Sequence, residues 1–139
     1  MSLLLFSLIS TTAVETFEGG RTESYPMCVI RRRDGVERTL SSRADRMDSL
    51  GSRMRGLLRL FRSEDCALVF DFDSVAERRA STLLTPLALD VVWTENGQVT
   101  RVARLNPWMG FARGRGDGVM EFPAGVAEDV RPGDELVLR

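Results

Sequence analysis

From residue 27 onward, apolar and polar positions arrive in short runs broken by turn-forming residues, a pattern that predicts strands joined as hairpins. Met27 to Arg32 and Val36 to Leu40 flank Asp34-Gly35, and an Asp-Gly step between apolar runs is a two-residue hairpin signal. Cys66 to Phe72 is a compact apolar strand. Leu83 to Trp93 and Val99 to Leu105 enclose Glu95-Asn96-Gly97-Gln98, where Asn-Gly supplies the two positive φ angles of a type I′ turn. Val119 to Phe122 and Glu135 to Leu138 add two more strands. Between them, Arg131-Pro132-Gly133-Asp134 has Pro and Gly where a type II turn requires them.

The period changes twice. Asp48 precedes Leu50, Met54, Leu57 and Phe61, whose spacing of four, three and four marks one face of an amphipathic helix over about 48–61 with Asp48 as N-cap. Arg55, Arg59 and Arg62 fall on the other face. Ala124 to Val130 predicts a short C-terminal helix, about 124–130. Strands outnumber helices and come as hairpins, so the expected class is α+β: a single compact domain with a mainly antiparallel or barrel-like sheet.

Residues 111–118, Phe-Ala-Arg-Gly-Arg-Gly-Asp-Gly, predict a mobile loop whose glycines let backbone approach a ligand. No helix start follows the G-x-G-x-G, as a nucleotide-binding loop would need, and the embedded R-G-D recurs by chance in such composition.

The start of the chain reads differently. Leu3 to Ile9 is too short to span a bilayer, and the first two residues lack the cation of a secretory leader. Glu18 to Pro26 is polar and linker-like. The expectation is therefore a tail, leader or upstream start extension over residues 1–26, then a single domain over 27–139. The predicted location is the cytoplasm rather than export through a leader over residues 1–13, with no transmembrane segment and a monomeric state.

Composition narrows the chemistry more than it suggests any. At 43% hydrophobic and 28% charged, with 139 residues, the chain suffices for one folded domain. All 19 cations are Arg, set against 20 acids. That balance gives no general attraction to polyanions. Histidine is absent, which removes the commonest general base and the commonest zinc ligand. Cys28 and Cys66 sit in apolar runs and are expected as buried thiols.

Few residues are left as candidates. Asp71 and Asp73 read as a polar strand edge. Asp90 interrupts the run Leu-Ala-Leu-Asp-Val-Val-Trp, where a carboxylate must find donors or face a cleft. Arg55, Arg59 and Arg62, together with Arg53 and Arg31 to Arg33, could track phosphates, but no aromatics are interleaved for base stacking, so nucleic acid is not the expected partner. A groove near Trp93, Trp108, Arg113 and the 111–118 loop is the leading place for a small ligand or peptide.

Taken together, Gly56 to Leu58, Ala67 to Phe70, Thr85 to Asp90, Asn96 to Val99, Glu121 to Gly125 and Arg131 to Asp134 resemble the domain of unknown function 192 family. The segment Pro107 to Gly110 is similar to its short archaeal members. The resemblance spans about residues 27–139 and implies a strand-rich α+β domain without an assigned activity. It implies recurring acids at Asp90, Asp117 and Glu121, and turn residues at Pro123, Gly125, Pro132 and Gly133. Residues 81–85, Ser-Thr-Leu-Leu-Thr, depart from the Trp-Met-Lys-Asn-Thr of many bacterial members.

The expected function is thus a small binding or accessory domain with no cofactor, no metal and an unidentified ligand or protein partner. A carboxylate- or metal-dependent enzyme using Asp90, Asp117 and Glu121 is the first alternative. Nucleic-acid binding through the Arg-rich helix is the second.

Overall fold

The computed structural model describes residues 24–25, 28–31, 34–47, 56–57, 65–83 and 85–138. They form one nine-stranded sheet that curls into a nearly closed barrel. In chain order the strands are β1 (Ser24–Tyr25), β2 (Cys28–Arg31), β3 (Glu37–Ser41), β4 (Ala44–Arg46), β5 (Ala67–Ser81), β6 (Leu89–Glu95), β7 (Gln98–Leu105), β8 (Phe111–Pro123) and β9 (Glu135–Leu138). Their spatial order is β1-β4-β5-β8-β6-β7-β9-β2-β3. Neighbours are antiparallel except β4 and β5, which run parallel.

The turns follow from their residues. Asn96 and Gly97 both have positive φ (49° and 81°), as the β6–β7 hairpin needs. Gly133 at φ 93° and the Asp134 N–H donating to the Arg131 carbonyl at 3.1 Å complete the type II turn after Pro132. Residue 35 turns the β2–β3 hairpin at φ 82°, and the Val36 N–H donates to Asp34 Oδ1 at 3.0 Å. Arg31 pairs with Glu37, so that loop is longer than the two residues expected.

Residues 67–70 of β5, 118–122 of β8 and 89–94 of β6 are covered on both faces, which is why these stretches read as largely continuous apolar runs rather than alternating ones. Leu68, Phe70, Leu89, Val91, Trp93 and Val119 share one cluster, completed by Met47, Leu57 and Cys66. Val69, Val92, Met120 and Phe122 share the other with Leu40, Val130 and Leu136. Burying each such side chain contributes roughly 1.5–3 kcal/mol, so the two clusters dominate stability. Cys66 is buried, as expected.

Three expectations are corrected. The class is not α+β, because the described residues form strands and turns and contain no helical element beyond the conformation of Gly56 and Leu57. Most of the expected helix over 48–61, including Arg53, Arg55 and Arg59, lies outside the described residues, as does Arg62 just after it. The expected C-terminal helix over 124–130 is instead a chain of tight turns. Its N–H groups reach back three residues, Val126 to Pro123, Glu128 to Gly125 and Val130 to Ala127, at 3.1–3.3 Å. Gly125 at φ 99° breaks helical geometry, and Asp90 takes the Ala127 amide, the first that such a helix would bond internally, along with that of Gly125.

The third correction is the loop at residues 111–118, which is the first half of β8. Its glycines serve packing. A Cβ on Gly114 would lie 2.5 Å from Trp93 Cγ, and one on Gly116 would lie 2.2 Å from the Thr94 carbonyl oxygen. Gly118 meets Thr94 Oγ1 in the same way, at 2.5 Å. Alternate residues were removed to let β6 press onto β8. Likewise β5 extends to Ser81, past the predicted end at Phe72, because a bulge between Asp71 and Ala76 shifts the register and hides the alternation.

Candidate functional site

Asp90 lies on β6 directly across from Arg104 on β7, and its side chain is buried on the Phe122 side of the sheet. Its Oδ2 accepts the N–H groups of Gly125 and Ala127 at 2.8 and 3.0 Å. Its Oδ1 accepts Arg104 Nε at 2.9 Å. The hydrogen bond to Asp90 raises the Arg104 guanidinium above its usual range, with the attraction between the charges adding to it. This carboxylate is a fastener for the 123–130 turns: its oxygens are engaged by backbone and by a cation. A depression of about 280 Å³ beside it is lined by Val102, Ala103, Ala127 and Glu128.

The other two candidate acids sit elsewhere. Asp117 accepts the Asn96 N–H at 3.1 Å and so holds the β6–β7 turn. Glu121 is fully buried and pairs in register with Leu68 and Val91, on the face opposite Asp90. Asp117 and Glu121 are separated by about 13 Å of extended strand. The fold therefore does not bring the three carboxylates into one cleft. Among the described residues no group of three or more His, Cys, Asp or Glu could hold a metal ion.

One charged residue escaped the sequence reading. Arg78 is buried, with its guanidinium 3.9 Å from the centre of the Phe72 ring. It donates to the Ser74 carbonyl at 2.7 Å and, more weakly, to that of Gly116 at 3.4 Å, while Nη1 has no partner. Burial lowers its pKa from the usual value, and the nearby Asp117 charge opposes that shift. It straps the β5 bulge. Nothing in Glu-Arg-Arg-Ala distinguishes Arg78 from exposed Arg79, because the bulge upstream sets which of them turns inward.

Trp93 does not line a groove. It is fully buried, and its Nε1 donates to the Arg78 carbonyl at 2.9 Å. Trp108 is the exposed tryptophan, 54% accessible in the turn between β7 and β8. Met109 is 89%, Phe111 57% and Leu83 47% accessible. Four large apolar side chains thus share one tip of the barrel, where the β5–β6 and β7–β8 connections meet.

That tip is stiff. Trp108 N–H donates to the Thr85 carbonyl at 3.0 Å, and Thr82 N–H to the Gly110 carbonyl at 3.0 Å. Thr82 Oγ1 accepts the Gly110 N–H at 2.8 Å and donates to the Asn106 carbonyl. A Cβ on Gly110 would lie 2.6 Å from Leu105 Cβ, so the turn can close only on glycine. Trp108 itself is held at φ 69°, a conformation uncommon for a bulky residue and typically retained where surroundings enforce it. Arg113 follows two residues after Phe111, with its side chain exposed and 3.7 Å from Glu77.

Comparison with known proteins agrees with the fold and is silent on activity. No curated protein matches the chain. A crystal structure from Sinorhizobium meliloti 1021, of a protein titled a candidate transcription regulator, superposes with a TM-score of 0.68 at 20% identity, covering 86% of this chain and 97% of that one. A protein of unknown function from Novosphingobium aromaticivorans DSM 12444 superposes with a TM-score of 0.63 at 17% identity, covering 87% and 95%. The model of the domain of unknown function 192 family (uncharacterized ACR) matches residues 31–138, and the chain belongs to that family.

Proposed function

We propose that this protein is a cytoplasmic binding module whose contact surface is the tip formed by Leu83, Trp108, Met109 and Phe111. The observation that carries this reading is the exposure of Trp108 on a backbone locked by hydrogen bonds at positive φ. Exposed aromatic and Met side chains on a rigid support are what contact surfaces are made from, since little ordering entropy opposes their use. No helix among the described residues is long and apolar enough to cross a membrane, which is compatible with a module that meets its partner at a surface.

Emission of Trp108 provides the test, because Trp93 is shielded in the core. The protein is titrated with phospholipid vesicles, a pool of acidic-apolar peptides, and nucleotides. A binding module gives a saturable blue shift with one class, lost in Met109→Glu without a change in melting temperature. No shift with any class, or one that Met109→Glu leaves untouched, would overturn the reading.

A further inference from the structure

We infer that the tip docks on a bilayer surface carrying anionic phospholipid headgroups, an inference that rests on the binding-module reading and names its partner. The first argument is shape. Trp108 and Met109 form the apex of a projecting turn, and Met109 is the most exposed large apolar side chain described. Peptides and small ligands are held in concave sites, whereas a projecting apolar apex suits a soft surface that closes around it.

The second argument is charge and its height above the apex. Along β8 the exposed positions alternate as Phe111, Arg113 and Arg115, so these side chains share one face. Arg79 on β5 pairs directly with Arg113, and Arg101 from β7 donates to the Arg113 carbonyl. Glu77 lies opposite Arg115, with Oε1 3.8 Å from Arg79 and 3.7 Å from Arg113. Four arginines against Glu77 and Asp117, the next residue on that face of β8, leave this flank at a net +2.

Glu77 stands within ion-pair reach of both Arg79 and Arg113 and offsets part of their repulsion, while the flank as a whole stays cationic, which suits an anionic surface. At about 3.3 Å per residue, Arg113 stands about 7 Å and Arg115 about 13 Å beyond Phe111. Interfacial apolar groups bury about 5–10 Å below the headgroups, which brings the first arginines to headgroup level when the apex is inserted. Arginine suits that place because its planar fork binds phosphate oxygens in pairs.

The test is co-sedimentation of the full chain with vesicles of phosphatidylcholine alone and of phosphatidylcholine containing phosphatidylglycerol, with Trp108 emission read in parallel. Each net positive charge strengthens association with an anionic surface by about fivefold, so anionic vesicles are expected to bind on the order of 25-fold more tightly. Arg113→Glu lowers the flank from +2 to 0, and a loss on the order of 25-fold is expected. Met109→Asp abolishes the blue shift. Arg131→Glu, the same charge change on the C-terminal turns, binds as wild type.

Equal binding to both vesicle types, or equal loss with Arg113→Glu and Arg131→Glu, would overturn the inference. A saturable shift with acidic-apolar peptides but none with vesicles would also overturn it and leave the binding-module reading standing. Silence with every probe removes both.

Discussion

Replacing Gly116 by Ala puts the packing of β8 against β6 to a quantitative test. The added Cβ would sit 2.2 Å from the Thr94 carbonyl oxygen and 3.0 Å from its carbon. Both are backbone atoms, so no side chain can swing aside. Restoring a 3.0 Å contact requires a displacement of about 0.8 Å in β6, whose next residue inward, Trp93, is wedged against Gly114. Overpacking of this kind costs about 1–3 kcal/mol. The upper end applies where the obstacle is backbone, offset by about 0.4–1 kcal/mol because Ala restricts the unfolded chain.

A net loss of about 2 kcal/mol lowers the melting temperature by roughly 8 °C for a chain of this size. Urea titration followed by far-ultraviolet circular dichroism measures it. The midpoint falls at constant slope if only the native state is strained. Gly35→Ala is the comparator: a Cβ there meets nothing within 4 Å, and φ 82° alone carries the strain, about 1–2 kcal/mol. If Gly116→Ala melts within a degree of wild type, the strand is not pressed onto Thr94 and the packing argument fails.

Asp90→Ala leaves the Gly125 and Ala127 amides without their acceptor and should cost about 3 kcal/mol in urea titrations, with faster hydrogen exchange confined to the 123–130 turns; Arg104→Ala should cost far less, since that partner is half exposed. With no histidine in the chain, the melting temperature should stay nearly level from pH 6 to 8, and a swing of many degrees would expose an unrecognised titrating group. Arg78 does not bend that profile: burial lowers its pKa, so its charge weakens the fold below that pKa and the weakening fades only at far more alkaline pH. In a Cys28→Ser background, Cys66 should react with a thiol reagent only on global unfolding, with a rate that tracks denaturant; prompt labelling would contradict its burial.

Local chemistry made the turns legible and tertiary chemistry hid the rest. Asn96-Gly97 and Pro132-Gly133 need particular φ angles whatever surrounds them, and both turned as their residues require. Gly114, Gly116 and Gly118 looked like a loop because glycine weakens a strand in isolation, and only the facing Trp93 and Thr94 justify it. The 124–130 segment has helical propensity, but Gly125 turns to φ 99° and Asp90, thirty-four residues before Ala124, intercepts the Ala127 amide. At the tip, Trp108 is expected to line a groove together with Trp93, whereas it stands exposed and Trp93 is buried. The exposure of Trp108 follows from Thr82, Thr85 and Gly110 pinning the turn outward, which no spacing along the chain announces.

The position of β9 has a consequence for how the chain acquires its form. Among the described residues the β2–β3 hairpin is hydrogen-bonded to the rest of the sheet through β9, since the order runs β7-β9-β2-β3. A segment near residue 30 must therefore wait for residues 135–138 before its ladder is complete. During synthesis that hairpin exists early with one edge open, a template for any passing strand, and β9 is the strand that must reach it first. Shortening the chain before Glu135 would leave β2 without its antiparallel neighbour, more than a hundred residues upstream of the cut.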